Sequence, residues 1–423
     1  MSWFIPLHRL RRSEVTVFSS LLQVKVLYIV TAYDRRPGDG ITPWLVETIH
    51  RLGGLGVEVE VLAPSYCGLG SAVVEGVQVH RFRYAPRRVE DLTHDQTAPD
   101  RVRERPSYLG LLPGYALAGS VAAARVTRRG GFDVVHVHWP LPQALLGWSA
   151  RRAAGIPLVC SFYGVELTFA RHSRVPFLLP FLRRAIRTAD AVTAISTYTA
   201  DLVRGVHDRS VELIPFGATV PIPERLPSPA PSPPFRLLFV GRLVERKGVR
   251  HLLDAVAAAR ASGADVVLDV VGEGPSRGAL EQHAERVGLG AAARFHGFVP
   301  DDQLIRHYED CHTFVLPAVF DEKGDVEGLG VVIIEALAYG RGVIASAAGG
   351  ITDIVRHDET GLLVPPGDVA ALTRAILALA RDPERVNRLG GTGRVYVQER
   401  FSWDAVTGRL TDLYARLTGR GVR

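Results

Sequence analysis

The sequence predicts an α/β protein built from two parallel-sheet domains, and three observations carry that expectation. Short apolar runs alternate with helical stretches, the pattern of strand–helix–strand units whose sheet is covered on both faces. The alternation breaks at residues 221–234, where seven of fourteen residues are proline, and then resumes. A chain of 423 residues is long enough for two separate cores.

Residues 1–23 stand apart from that pattern. Trp3, Phe4, Ile5 and Leu7 precede Arg9, Arg11 and Arg12, and 15–22 is again apolar. A signal peptide carries its charges ahead of its apolar core. No stretch here reaches the ~18 uninterrupted apolar residues of a spanning helix. A poorly ordered extension is expected, with adhesion to a membrane as the other reading.

Strands are expected at 24–30, 57–62, 134–138, 158–162 and 191–195, with helices at 45–52, 116–128 and 142–154 between them. The turn Arg36-Pro-Gly38-Asp-Gly40-Ile-Thr42-Pro43 places Gly38 and Gly40 just ahead of a helix. Glycine lets a backbone approach a ligand there, and helix-start amides favour an anion. His136 and His138 share one face of strand 134–138, with His138 near its carboxyl end. Two histidines could ligate zinc, but no third ligand sits at zinc spacing. Glu166 reads as a helix-start carboxylate or a ligand contact. Residues 175–187 join apolar bulk to Arg183, Arg184 and Arg187. That helix is expected to bury its apolar face against the sheet, with a membrane surface as the alternative.

Seven prolines exclude residues 221–234 from helix and central strand, leaving a stiff interdomain linker. Beyond it, 235–240 is a short apolar run followed by Gly241 and Arg242, then Lys247 and a helix over 251–261. A strand, a glycine turn with two cations and a helix is how doubly wound sheets hold phosphates at strand carboxyl ends. A second strand, 266–271, runs into Gly272-Glu-Gly274. The richest segment is Glu327-Gly-Leu-Gly-Val-Val-Ile-Ile-Glu335. Its first part should be a loop and 331–338 the opening turns of a buried helix. The free amides of Gly328, Leu329 and Gly330 suit a phosphate, and a carboxylate at either end can accept from sugar hydroxyls. Its bland counterpart is a solvated Glu327 and a Glu335 paired to an arginine.

These pieces resemble the retaining glycosyltransferases of family 4, which have the two-domain GT-B fold. The resemblance rests on Val240-Gly-Arg-Leu-Val-Glu-Arg-Lys-Gly248, Val271-Gly-Glu-Gly274, Phe295-His-Gly-Phe-Val299, Glu327 to Glu335, Ala336-Leu-Ala-Tyr-Gly340, Ala348-Gly-Gly350 and Thr360-Gly-Leu-Leu-Val-Pro365. It implies a nucleotide-diphosphate sugar donor bound mostly by the second domain. Arg242 and Lys247 would hold the diphosphate, Glu335 the ribose hydroxyls and Glu327 the transferred sugar. The amides of Gly328 to Gly330 would touch the distal phosphate, and Val299 would line the nucleobase pocket. His138 matches the strand-end histidine that faces the donor sugar, and His136 is then structural. The acceptor is a glycan or a lipid-linked hydroxyl, no metal or other cofactor is implied, and the last helix, around 403–417, would brace the first domain. The chain departs from the pattern at Tyr163, where many relatives have histidine, and at 36–43, where they often show a Gly-Gly pair.

Charge and cysteines narrow the field further. Residues 1–232 carry 27 Lys/Arg against 19 Asp/Glu, and residues 233–423 carry 23 against 25. The excess positive charge therefore lies in the first half, where it suits an anionic membrane face or acidic ligand. Cys67, Cys160 and Cys311 show no metal spacing and no disulfide framework, as expected in the cytoplasm. A nucleotide-sugar dehydrogenase would need a Gly-x-Gly-x-x-Gly after the first strand, and Val30-Thr-Ala-Tyr-Asp34 offers none. A GT-B-fold epimerase or hydrolase stays open as the alternative, and so does a non-catalytic basic module; binding to nucleic acid is not expected.

Overall fold

The structure, a computed structural model, describes residues 23–94, 98–173, 175–218, 220–223, 233–322 and 324–420. The expected extension, apart from residue 23, and linker residues 224–232 lie outside the described residues.

The described residues form fourteen strands: β1 (Val24–Ile29), β2 (Val57–Pro64), β3 (Ala72–Val74), β4 (Val77–Phe82), β5 (Val134–His138), β6 (Leu158–Phe162), β7 (Ala191–Ala194), β8 (Glu212–Leu213), β9 (Phe235–Val240), β10 (Val266–Val271), β11 (Ala293–Gly297), β12 (Thr313–Leu316), β13 (Gly342–Ser346) and β14 (Leu362–Val364). The first eight make one sheet, ordered β3-β4-β2-β1-β5-β6-β7-β8, and the last six a second, ordered β11-β10-β9-β12-β13-β14. All five pairings of the second sheet are parallel. In the first, β3 and β4 are antiparallel. Their turn uses Glu75 and Gly76, both at positive φ, as a tight hairpin requires.

The expected strands appear because apolar runs such as β5 and β6, buried at every position, have no polar face to show solvent. By packing, the chain divides into two compact units. One comprises Met1–Phe162, Pro180–Thr193 and Thr407–Arg423; the other comprises Tyr163–Leu179 and Ala194–Val406. Within the first unit the C-terminal helix Trp403–Thr418 brings Tyr414 to the sheet. The Tyr414 hydroxyl lies 2.7 Å from His136 Nδ1 and 2.8 Å from the Tyr28 hydroxyl. The helix Leu178–Thr188 buries Leu182, Ala185 and Ile186, as its apolar spacing predicts.

In the second unit β9 lies between β10 and β12, which places its carboxyl end, and the turn that follows, at the middle of the sheet. A ligand cradle at that end is what an open parallel sheet offers.

Candidate active site

The turn after β9 closes in a short 3-10 helix, Glu245–Lys247, which ends at Gly248 with φ +67°. A Cβ at Gly248 would stand 1.8 Å from the Pro317 carbonyl oxygen, so only glycine lets this turn press against the strand end. Lys247 is thereby buried, and its ammonium meets the Glu327 carboxylate. Arg246, which drew no notice in the sequence, reaches the same Glu327 oxygen at 3.2 Å and Asp325 at 3.9 Å. Glu327 is therefore not the solvated carboxylate of the bland reading. Burial pushes its carboxyl up, but the Lys247 and Arg246 charges outweigh burial and hold it below its usual value. Arg242 differs from both neighbours: it is exposed, and its guanidinium makes no hydrogen bond or ion pair with the described residues. The cluster of Arg246, Lys247 and Glu327 carries one net positive charge, and Arg242 adds a second on the same turn.

The segment after Glu327 supplies donors. Leu329 is buried and anchors the loop, and Gly330, at φ +92°, turns the chain into the helix Val331–Ala338. Among the described residues the amides of Gly328, Leu329 and Gly330 donate no hydrogen bond. Three such donors at a helix start form a seat for an anion. The turn 348–350 braces this loop from behind. Gly350 donates its amide to the Glu327 carbonyl at 3.0 Å. A Cβ at Gly349 or Gly350 would lie 2.1 Å from the carbonyl oxygen of Glu327 or of Gly328. The glycine pair thus serves close backbone packing under the cradle.

Glu335 sits inside the helix, 2% exposed, and accepts a hydrogen bond from the Tyr308 hydroxyl at 2.8 Å. The Tyr308 hydroxyl is thus one of its partners. Tyr308 stacks on Tyr339 with ring centroids 5.5 Å apart, which fixes the hydroxyl's aim. Any ribose contact at Glu335 would be made to a carboxylate that Tyr308 already holds. Val299 is buried beyond β11, whereas its neighbour Phe298 is 84% exposed. Neither Tyr308 nor Phe298 carries a spacing signal by which the sequence could have singled it out.

In the first unit, His136 and His138 share a face as expected, their rings stacked at 4.3 Å. His136 Nε2 lies 2.6 Å from the Ser161 hydroxyl, and its Nδ1 faces Tyr414. Both ring nitrogens are used, consistent with a structural part. His138, also buried, lies against the rings of Tyr28 and Trp44. Burial lowers its pKa to about 3, so it is a neutral imidazole at pH 7. The amides of Gly38 and Gly40 are already engaged: Gly38 donates to Glu75 at 3.0 Å and Gly40 to Asp34 at 3.2 Å. A phosphate at that turn would have to displace two carboxylates.

Glu166, in the second unit, is 5% exposed and accepts from the Tyr163 amide at 2.8 Å. Its other oxygen has no hydrogen-bond partner among the described residues. Burial raises its pKa to about 7 against the pull of the helix-start amides.

Known proteins resemble this chain in sequence and in fold. Residues 224–395 match the family model described as glycosyl transferases group 1, and residues 39–217 match that of a glycosyl transferase 4-like domain. The chain is 31% identical over 370 residues to a GDP-mannose-dependent α-(1-6)-phosphatidylinositol monomannoside mannosyltransferase of Mycolicibacterium smegmatis, covering 83% of this chain and 94% of that one. In fold it is similar to sucrose-phosphate synthase from Thermosynechococcus elongatus, with a TM-score of 0.69 at 24% identity over 94% of this chain and 100% of that one. It is similar as well to Anabaena Alr3699/HepE in complex with UDP and glucose, with a TM-score of 0.63 at 19% identity over 92% of this chain and 99% of that one.

Proposed function

We propose that this chain, which belongs to the family 4 glycosyltransferases of GT-B fold, moves a hexose from a nucleotide-diphosphate sugar to a hydroxyl of a glycolipid or glycan, with retention and without a metal ion. The observation that carries the reading is the cationic pair Lys247 and Arg246 on Glu327 beside the three undonated amides of 328–330. This is a preorganised anion seat with a carboxylate at its rim. Charge grows on the diphosphate as it departs, and fixed donors aimed at growing charge do the largest share of such catalysis. Lys247, the amides and the exposed Arg242 would neutralise that charge in place of a divalent ion. The acceptor hydroxyl would attack from the leaving-group face while the departing phosphate takes its proton. Glu327 would orient the sugar without becoming covalently bound.

The mannosyltransferase relative makes GDP-mannose the first donor to try, and UDP-glucose is the second. A hydrolase or epimerase of the same fold is not favoured by these similarities.

A lipid-linked acceptor finds support in the helical segment Pro106–Gly130, which is long and apolar enough to cross a membrane by length and composition alone. It is better read as lying on a surface. It packs along the helix Pro140–Ala154, where Ser149 donates to the Ser120 carbonyl at 2.7 Å. Its other face exposes Leu109, Leu117 and Val121, and Arg128 and Arg129 close its last turn. Apolar residues flanked by arginines suit an anionic bilayer face. In this reading 106–130 carries the membrane contact, although 175–187 also leaves Val175, Phe177 and Leu179 exposed, and the enzyme works on the cytoplasmic leaflet.

The test is to incubate the purified protein with GDP-mannose and a phosphatidylinositol glycolipid in the presence of a chelator. The expected product carries an α-linked mannose, read by the one-bond carbon–proton coupling at the anomeric carbon. A β-linked product, or loss of transfer in chelator, would refute retention or metal independence respectively.

A further inference from the structure

We infer that Asp269, His296 and His307 form a binding site for one divalent transition-metal ion of the zinc class. Each offers one ligand atom, and those atoms all lie within 4.8 Å of one another. The three come from different elements: Asp269 from β10, His296 from β11 and His307 from the helix Asp301–Asp310.

Their meeting has a specific cause in the backbone. The β10–β11 register jumps between Val270 and Val271, from Phe295 to Gly297, so His296 is the extra residue of a bulge. A bulge re-aims a side chain out of the ordinary alternation. Here it turns His296 toward Asp269, with Nε2 and Oδ1 2.6 Å apart. β11 is an edge strand, so the site opens at the margin of the sheet.

A simple Asp–His hydrogen bond explains that pair but not His307. Its ring comes to 4.5 Å from the His296 ring and makes no hydrogen bond with the described residues. Two imidazoles this close repel when both are charged. Zinc at about 2.0–2.1 Å from each ligand places the donor atoms roughly 3.3 Å apart. The present spacings, from 2.6 Å to at most 4.8 Å, need to change by no more than about 1.5 Å to meet that. Two imidazoles and one carboxylate are an ordinary zinc set, with water in the fourth position. Cys311 is not part of the cluster. On binding, the proton between His296 and Asp269 moves to the other ring nitrogen or to solvent.

None of the three residues is among those proposed to touch the donor, and metal uptake is scored directly rather than through glycosyl transfer. Untagged full-length protein, stripped with chelator, would be titrated with Zn2+ against a chromophoric competitor, and with Co2+ followed by its visible spectrum. Wild type should take up one equivalent. His307→Ala and His296→Gln should each lose about tenfold or more in affinity, with unchanged circular dichroism. Failure of the wild type to bind either ion at micromolar concentration would overturn the inference. Equal affinity in wild type and both variants would overturn it as well.

Discussion

Lys247 and Glu327 form a direct ion pair across 80 positions of chain, and Arg246 donates to the same carboxylate oxygen at 3.2 Å. The strand–turn–helix after β9 and the loop before the helix Val331–Ala338 are locked to each other by that contact. Removing Lys247 leaves Glu327 with Arg246 alone, so the loss should fall below the about 3–5 kcal/mol of a buried pair left wholly uncompensated. Lys247→Met should therefore lower both stability and donor affinity, while Arg246→Met, at a more exposed site, should cost less. Denaturation midpoints and donor titrations of the two variants check the order.

Tyr308 donates its hydroxyl to Glu335 inside a closed aromatic stack. Tyr308→Phe keeps the ring and deletes the donor, at about 1–3 kcal/mol of stability. Because the carboxylate then loses its fixed orientation, the donor KM should rise with kcat little changed. Steady-state kinetics decide this. An unchanged KM would sever Tyr308 from the donor site.

Glu166 gives the protein a pH dependence of stability with a definite sign. Its folded pKa is raised from 4.5 to about 7 by burial. Between those values the unfolded chain has lost a proton that the folded one retains, so stability falls as pH rises through that window. The loss amounts to about 3 kcal/mol. It should vanish in Glu166→Gln, whose unfolding free energy at pH 4.5 and at pH 7.5 would differ less than the parent's.

Leu117 is 70% exposed on the segment proposed to meet a membrane. Leu117→Asp should lower co-flotation with vesicles containing anionic lipid and leave transfer to a soluble acceptor intact. Equal flotation would move the contact elsewhere.

The strands at 134–138, 158–162, 235–240 and 266–271 were legible because each is an apolar run between turn residues. The hairpin β3–β4 was not: β3 has three residues, two of them exposed, and no run of that length carries a period. The helix Val331–Ala338 and its glycine entry were readable from 327–335. The pairing of Glu327 with Lys247 was not, because an ion pair between distant segments leaves no trace in spacing. Arg246 was overlooked beside Lys247, since adjacent cations look alike until one is folded inward. His296 lay hidden for a similar reason: its direction is set by a bulge that only the β10–β11 register reveals.

The central claim is that the second unit holds a nucleotide-sugar, and ligand-dependent thermal stabilisation tests it most directly. Purified protein would be melted with GDP-, UDP- and ADP-sugars beside Arg242→Ala and Glu335→Ala. A ligand that binds only the native state raises the midpoint by mass action. One nucleotide class should stabilise the parent, and both variants should lose most of the shift. No shift with any nucleotide-sugar at millimolar concentration would contradict it.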